Sequence, residues 1–220
     1  MARCPRAGAV KTRLAATIGE AAALALYRAF LADQLAFLGS FSADHDREWC
    51  TDARPGPALA ALAERAEVTV TAQGPGDLGA RLAAVFARAE TAGASATVVL
   101  GADSPTLPRR LVEESFACLA ATAGAVVVPA DDGGYALIGL VRPAPLLFDA
   151  VPWSGPQVLA CTRERARVAG LPFVELERWY DVDDRAGLER LVDDLRRPGS
   201  ALRAPHTDRA ILDLSLDRMV

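Results

Sequence analysis

The sequence has almost no lysine. Lys11 is the only one among 24 Lys and Arg residues, so any task that needs a compact ammonium falls to it alone. Histidine is nearly as scarce: His45 and His206 lie in polar stretches with no catalytic or ligating pattern around them, and neither is given a role. The four cysteines, Cys4, Cys50, Cys118 and Cys161, form no CxxC pair. That scatter argues against a zinc ribbon or a disulfide scaffold and suits a reducing cytoplasm. A strong charge is missing too. The formal net charge is −4, so no global attraction to nucleic acid follows. Residues Met1-Ala2-Arg3-Cys4-Pro5-Arg6 are basic but lead into no apolar core, which argues against a secretory signal. The most apolar helical stretch, 21–38, is interrupted by Arg28, Asp33 and Gln34 and reads as a buried helix rather than a membrane span. Neither nucleic acid nor membrane is expected as a partner.

What remains is the composition of an ordinary globular enzyme, with 51% apolar and 24% charged residues in 220. A chain of that size buries roughly 70% of its unfolded surface without staples. Helical and strand-like segments alternate, the signature of a sheet covered by helices. Helices are expected at 20–38, 58–65, from Asp77, from Pro108, at 156–169 and at 185–195. The helix from Asp77 places Leu78, Leu82, Val85, Phe86 and Ala89 at helical spacing. Strands are expected at 47–51, 68–71, 96–100, 125–128, 135–141 and 172–176. The turn Asp131-Asp132-Gly133-Gly134 between two apolar runs suggests a hairpin and hence an antiparallel sheet edge. One domain over 1–195 is expected, followed by a loosely attached tail over 196–220 in which Ile211-Leu212 could dock. Such a domain normally opens with a central strand, so the first strand is either very short or begins upstream of Met1.

Several segments have residues suited to chemistry. Lys11 lies in Gly8-Ala9-Val10-Lys11-Thr12-Arg13-Leu14, a glycine-containing loop that feeds a helix. Backbone N–H groups with a lysine and an arginine make a cradle for a di- or triphosphate, although the GxxxxGK spacing of a Walker loop is absent. Gly101-Ala102-Asp103-Ser104-Pro105 follows a buried strand, where open α/β sheets bind ligands. Asp103 could be the first carboxylate of a magnesium site or merely an Asx-turn before Pro105. In Asp181-Val182-Asp183 the two carboxylates share one side of an extended segment and could face one cation, while Asp184 reads as a helix cap. Asp131-Asp132-Gly133-Gly134-Tyr135 is by itself best read as a tight turn. The loop 73–79, with Gly76, Asp77 and Gly79, could wrap a base or sugar, or simply start a helix at Asp77.

Taken in order, these segments resemble a known bacterial family. The motifs are 5–14, Gly76-Asp77-Leu78-Gly79-Ala80-Arg81, Gly101–Pro105, Pro129–Gly139, Trp153-Ser154 and Asp181-Val182-Asp183. Over roughly 1–195 the chain is similar to the glycosyltransferase-A-like proteins of unknown function, placed among nucleotide-diphospho-sugar transferases near the molybdenum-cofactor and phospholactate nucleotidyltransferases. The resemblance implies an α/β, Rossmann-like GT-A three-layer sandwich with a mostly parallel sheet, and magnesium or manganese as cofactor. It implies that Gly8, Lys11 and Arg13 meet phosphates, that Gly76, Asp77 and Gly79 lie on the nucleotide side, and that Asp103 and Asp183, with Asp181, hold the metal. Asp132, Gly133, Gly134, Tyr135 and Trp153 would form the acceptor side, with Asp132 and Lys11 catalytic. Two positions depart from the family pattern: only 1–3 remain of the first strand, and Ala7 replaces the proline before the loop glycine. The partners implied are a nucleotide sugar or a nucleoside triphosphate and a small acceptor. Glycosyl transfer leads, nucleotidyl transfer with pyrophosphate release is the alternative, and a catalytically silent nucleotide-binding or partner-binding module is the third reading.

Overall fold

The computed structural model describes residues 1–219. The chain divides into two compact units interleaved in sequence. The first comprises Met1–Ala72, Ala102–Leu107 and the chain from Val182 on; the second comprises Gln73–Gly101 and Pro108–Asp181.

In the first unit, strands β1 (Glu48–Thr51) and β2 (Thr69–Ala72) pair in parallel, Glu48 opposite Thr69 and Thr51 opposite Ala72. The expected remnant of a first strand is there and is minimal. Ala2 forms a single parallel bridge with Thr51, and its N–H donates to the Cys50 carbonyl at 3.0 Å. Helix α1 (Thr12–Ile18) and helix α2 (Glu20–Gly39) are separated by Gly19 alone. Helix α3 (Pro57–Arg65) starts with a proline in its first turn, where the missing N–H costs nothing.

The α2 helix is the one described helix long and apolar enough to cross a membrane by composition. Here Leu26, Phe30, Leu31 and Leu35 are all buried within the fold. Each such side chain contributes about 2 kcal/mol by removal from water. Asp33, which breaks the apolar run in sequence, is itself buried and has a specific purpose. Its two carboxylate oxygens accept the backbone N–H of His206 at 2.9 Å and of Thr207 at 2.7 Å. Those donors open a C-terminal helix, Pro205–Asp213, that has no side-chain cap of its own. The tail is therefore not loosely attached, as Pro198, Gly199 and Pro205 suggest, but part of the first unit. Ile211 is buried and Leu212 points outward.

The second unit has a four-stranded sheet of β3 (Thr97–Leu100), β4 (Ala125–Pro129), β5 (Tyr135–Leu140) and β6 (Phe173–Glu175) in the order β3-β5-β4-β6. Strands β4 and β6 run parallel, and β5 is antiparallel to both β3 and β4. The hairpin expected at 131–134 joins β4 to β5. Its second strand sits inside the sheet rather than at an edge, because β3 pairs on its far side. All five residues of β4 are buried, as the continuous apolar run predicts.

Helices α4 (Leu78–Thr91), α5 (Arg109–Thr122) and α6 (Val158–Val168) complete the unit. On α4, Leu82, Val85 and Phe86 are buried as their spacing requires, but Leu78 is 45% exposed. Leu78 opens the helix next to its cap, Asp77, where the chain enters from the exposed residues 74–77. Helix α7 (Arg185–Leu195) belongs to the first unit and is capped by Asp184, whose carboxylate accepts the Gly187 N–H at 3.1 Å. The C-terminal helix is α8.

Candidate active site

Three distant stretches of the first unit converge on Lys11. The residue caps α1 with a left-handed backbone, φ 51° and ψ 41°, unusual for a non-glycine residue. Gly8, three residues earlier, is also left-handed at φ 68°, and a side chain there would meet no atom within 4 Å. The loop thus turns sharply twice and leaves its outer side open. Residues 6–9 are exposed on it, and α1 has no side chain capping its first N–H groups.

The Lys11 side chain is 3% exposed, and its ammonium forms ion pairs with Oδ1 of Asp103 and, at 2.8 Å, with Oδ1 of Asp183. Arg13 Nη2 takes the other oxygen of Asp183 at 3.0 Å. A backbone bond from the Val182 N–H to the Asp103 carbonyl, 2.8 Å, fastens the two acidic segments together. Behind the ammonium stand two aromatic rings of α2. Tyr27 has its centroid 5.7 Å from Nζ and Phe30 has its centroid at 5.6 Å. Contacts of that kind stabilise a cation by about 1 kcal/mol each. The Tyr27 hydroxyl donates to the Arg3 carbonyl at 3.1 Å, which ties the ring to the start of the chain.

The electrostatics follow from this packing. Burial alone would lower the Lys11 pKa, but Asp103 and Asp183 outweigh it and hold the ammonium above its ordinary value. Burial would likewise raise Asp183, and Lys11 and Arg13 instead leave it below the usual carboxylate range. Burial pushes the Tyr27 phenol far up, so Tyr27 stays neutral. Two positive and two negative side chains therefore meet here, and their charges balance. Among the described residues no group of three or more His, Cys, Asp and Glu side chains is placed to hold a metal. A half-open cavity of about 270 Å³ beside the loop is lined by Arg6, Gly8, Thr12, Glu20 and Leu24, among others.

Of the residues that the sequence singles out, Lys11, Arg13, Asp103 and Asp183 are brought together, with Gly8 shaping the loop. Asp181 belongs to the second unit. So do the remaining candidates, and the local structure uses most of them. Asp132 Oδ1 accepts the Gly134 N–H at 2.8 Å, closing an Asx-type turn. Gly133 has φ 88°, and a Cβ there would lie 2.1 Å from the Pro156 carbonyl oxygen, so only glycine fits. Tyr135 is pushed up in pKa by burial, with its hydroxyl beside Thr162. Asp77 caps α4 by accepting the Ala80 N–H at 2.8 Å. The Gly76 carbonyl accepts from Arg81 Nε at 3.0 Å. Gly79 lets α4 approach Trp153, since a Cβ would come within 2.7 Å of the indole nitrogen. Sequence reasoning missed Tyr27 and Phe30. Their i, i+3 spacing places them on one face of α2, but on an apolar helix such a pair reads as core.

The family described as "Uncharacterized protein conserved in bacteria (DUF2064)" matches residues 40–155, more than half of the chain. A crystal structure from Desulfovibrio desulfuricans G20, provisionally classed as a nucleotide-diphospho-sugar transferase, is similar at 30% identity and a TM-score of 0.79, with 96% of this chain and 94% of that one covered. A cytidylyltransferase from Leptospira borgpetersenii serovar Hardjo-bovis shares the fold at 14% identity and a TM-score of 0.56, over 98% of this chain and 93% of that one. No curated protein matches the sequence significantly. The Rossmann-like α/β fold of nucleotide-diphospho-sugar transferases, expected from the motifs, is the fold observed, and the chain belongs to the bacterial DUF2064 family.

Proposed function

We propose that this chain is a divalent-metal-dependent transferase with an activated nucleotide donor, and that it transfers a glycosyl group from a nucleotide-diphospho-sugar to a small acceptor hydroxyl. The observation that carries this reading is the convergence on one cation of Asp103 and Asp183, from segments far apart in sequence, beside the loop that bears Gly8 and the first turn of α1, which bears Arg13. The similarity to a protein classed as a nucleotide-diphospho-sugar transferase supports it.

The residues fit a divalent ion on one checkable ground. The Lys11 ammonium is a stand-in cation, and it touches one oxygen of each carboxylate at once. Magnesium is commonly held by one or two carboxylates plus substrate phosphates and water, so Asp103 and Asp183 would suffice to hold it or manganese. When bound, the metal neutralises charge on the phosphate oxygens. Arg13 and Lys11 supply positive charge to the same diphosphate, and N–H groups of the loop supply donors. The acceptor oxygen attacks the anomeric carbon, the carbon–oxygen bond to the diphosphate breaks with its electron pair leaving on the diphosphate, and the hydroxyl proton passes to a general base, the role that the family resemblance gives to Asp132.

Nucleotidyl transfer is the second reading. It is favoured by the basic loop that follows the single bridge at Ala2, the remnant of a first strand, a placement that suits a triphosphate equally well. There an acceptor oxygen attacks the α-phosphorus and pyrophosphate leaves. Product analysis separates the two. Nucleotide sugars or nucleoside triphosphates are offered with magnesium or manganese and a panel of small hydroxyl and phosphorylated acceptors. Release of nucleoside diphosphate supports glycosyl transfer, and release of pyrophosphate supports nucleotidyl transfer. No release from any donor favours a catalytically silent nucleotide-binding or partner-binding module.

A further inference from the structure

We propose that Lys11 is a placeholder for the metal: it occupies the cation position between Asp103 and Asp183 until a phosphate ligand draws it away, so that metal binding requires the phosphate ligand. The inference rests on the reading that those carboxylates hold a metal, and it adds an order of binding to that reading.

One carboxylate oxygen of Asp103 and one of Asp183 are both engaged by Nζ, and the second oxygen of Asp183 is engaged by Arg13. A divalent ion that used the same two Oδ1 atoms would need to approach them to about 2.1 Å, within the volume that Nζ fills. The ammonium and the ion are also of like charge. At such separations their repulsion exceeds what two carboxylates return once Lys11 and Arg13 have balanced them. With Lys11 in place, a metal therefore meets a full site. With Lys11 withdrawn, it meets two carboxylates with only Arg13 opposing.

What could withdraw it is set by the same geometry. The two rings of α2 and the two carboxylates surround the ammonium, so its charge leaves only for another anion. Lys11 caps α1 just after the exposed loop residues 6–9, and a lysine has a flexible four-carbon arm. A di- or triphosphate on the loop is such an anion, and it also provides oxygens for the metal. Lysine and metal then trade places, and the two ligands favour each other by the same factor in either order.

The single lysine makes this directly observable. In protein labelled with 13Cε- and 15Nζ-lysine, one side-chain resonance reports Lys11. Magnesium alone should leave it in place, and magnesium with inorganic pyrophosphate should move it. Manganese binding, followed by loss of the free-ion EPR signal, supplies the second readout. Without phosphate, Lys11→Met should bind manganese at least about tenfold more tightly than the native chain. Adding Asp183→Asn should abolish that gain. The inference is overturned if the native chain alone binds manganese as tightly as the variant, or if pyrophosphate and manganese bind while the lysine resonance stays still. In those cases the carboxylate metal site itself stands. If manganese binds to neither chain, with or without pyrophosphate, the metal reading and the inference both fall. Should Lys11→Met not fold, the resonance in the native chain decides alone.

Discussion

Two acidic motifs that look alike on paper have different physical explanations here. In the second unit, Asp132 bonds to the N–H of Gly134, two residues on, and Gly133 fits a tight turn against Pro156. Local backbone chemistry accounts for most of that motif. In the first unit, Asp183 bonds to Lys11 across 172 positions, and Asp103 joins the same ammonium. No turn or helix end needs that arrangement. A buried ion pair is also weak evidence for stability, because desolvation offsets much of its attraction. Charges gathered from distant segments at such a cost point toward a ligand more strongly than a turn that satisfies itself.

The contrast can be broken or sharpened by substitution. Asp183→Asn should lower turnover on the active donor by about a thousandfold, since it removes a charge that acts where transition-state charge develops. Steady-state kinetics would show it, and native-like turnover would dissolve the distinction between the motifs. Gly133→Ala should cost about 3 kcal/mol in denaturant unfolding, through its positive φ and its clash with Pro156. A neutral result would mean that the hairpin is not the rigid turn described. Asp132→Asn keeps an oxygen for the Gly134 N–H and so should leave stability unchanged. It should nonetheless reduce turnover about a hundredfold if Asp132 is the acceptor-side base. Full activity would leave Asp132 with its turn alone.

The smallest effect is on pH. Asp183 is held below its ordinary value of 3.8 in the fold, so its contribution to stability is complete above that value and fades as pH falls through the depressed one. The stability gap between the native chain and Asp183→Asn should therefore be constant from neutral pH down to about pH 4 and close under more acidic conditions. Lys11 acts in the opposite sense, since its raised value keeps its contribution until strongly alkaline pH. A gap that widens on acidification would contradict the pairing.

Local signals carried much of this structure. Helices α2 and α7 begin and end within a residue of where caps and breakers place them, and β4 reads as buried from its unbroken apolar run. The place of β5 between β3 and β4 is not legible, because strand order is decided by pairing across the sheet and not by either strand's own residues. The docking of α8 is hidden for a similar reason. It depends on Asp33 meeting the N–H groups of His206 and Thr207, and in sequence that aspartate reads only as an interruption. The candidate site was legible in its charged members, since a lone lysine and isolated carboxylates stand out by type. Tyr27 and Phe30 were not, because aromatic residues on an apolar helix look like core.

The central claim is that the Lys11 loop and its carboxylates bind the phosphates of a nucleotide together with a metal. Thermal unfolding with nucleotide sugars and nucleoside triphosphates, each with and without magnesium or manganese, tests it most directly on the native chain and Asp183→Asn. A ligand at about 100 times its dissociation constant stabilises the fold by roughly 2.7 kcal/mol. The account predicts a shift of that size for at least one nucleotide, dependent on metal and lost in the variant. A nucleotide-induced shift that ignores both the metal and Asp183, or no shift with any nucleotide, would contradict it.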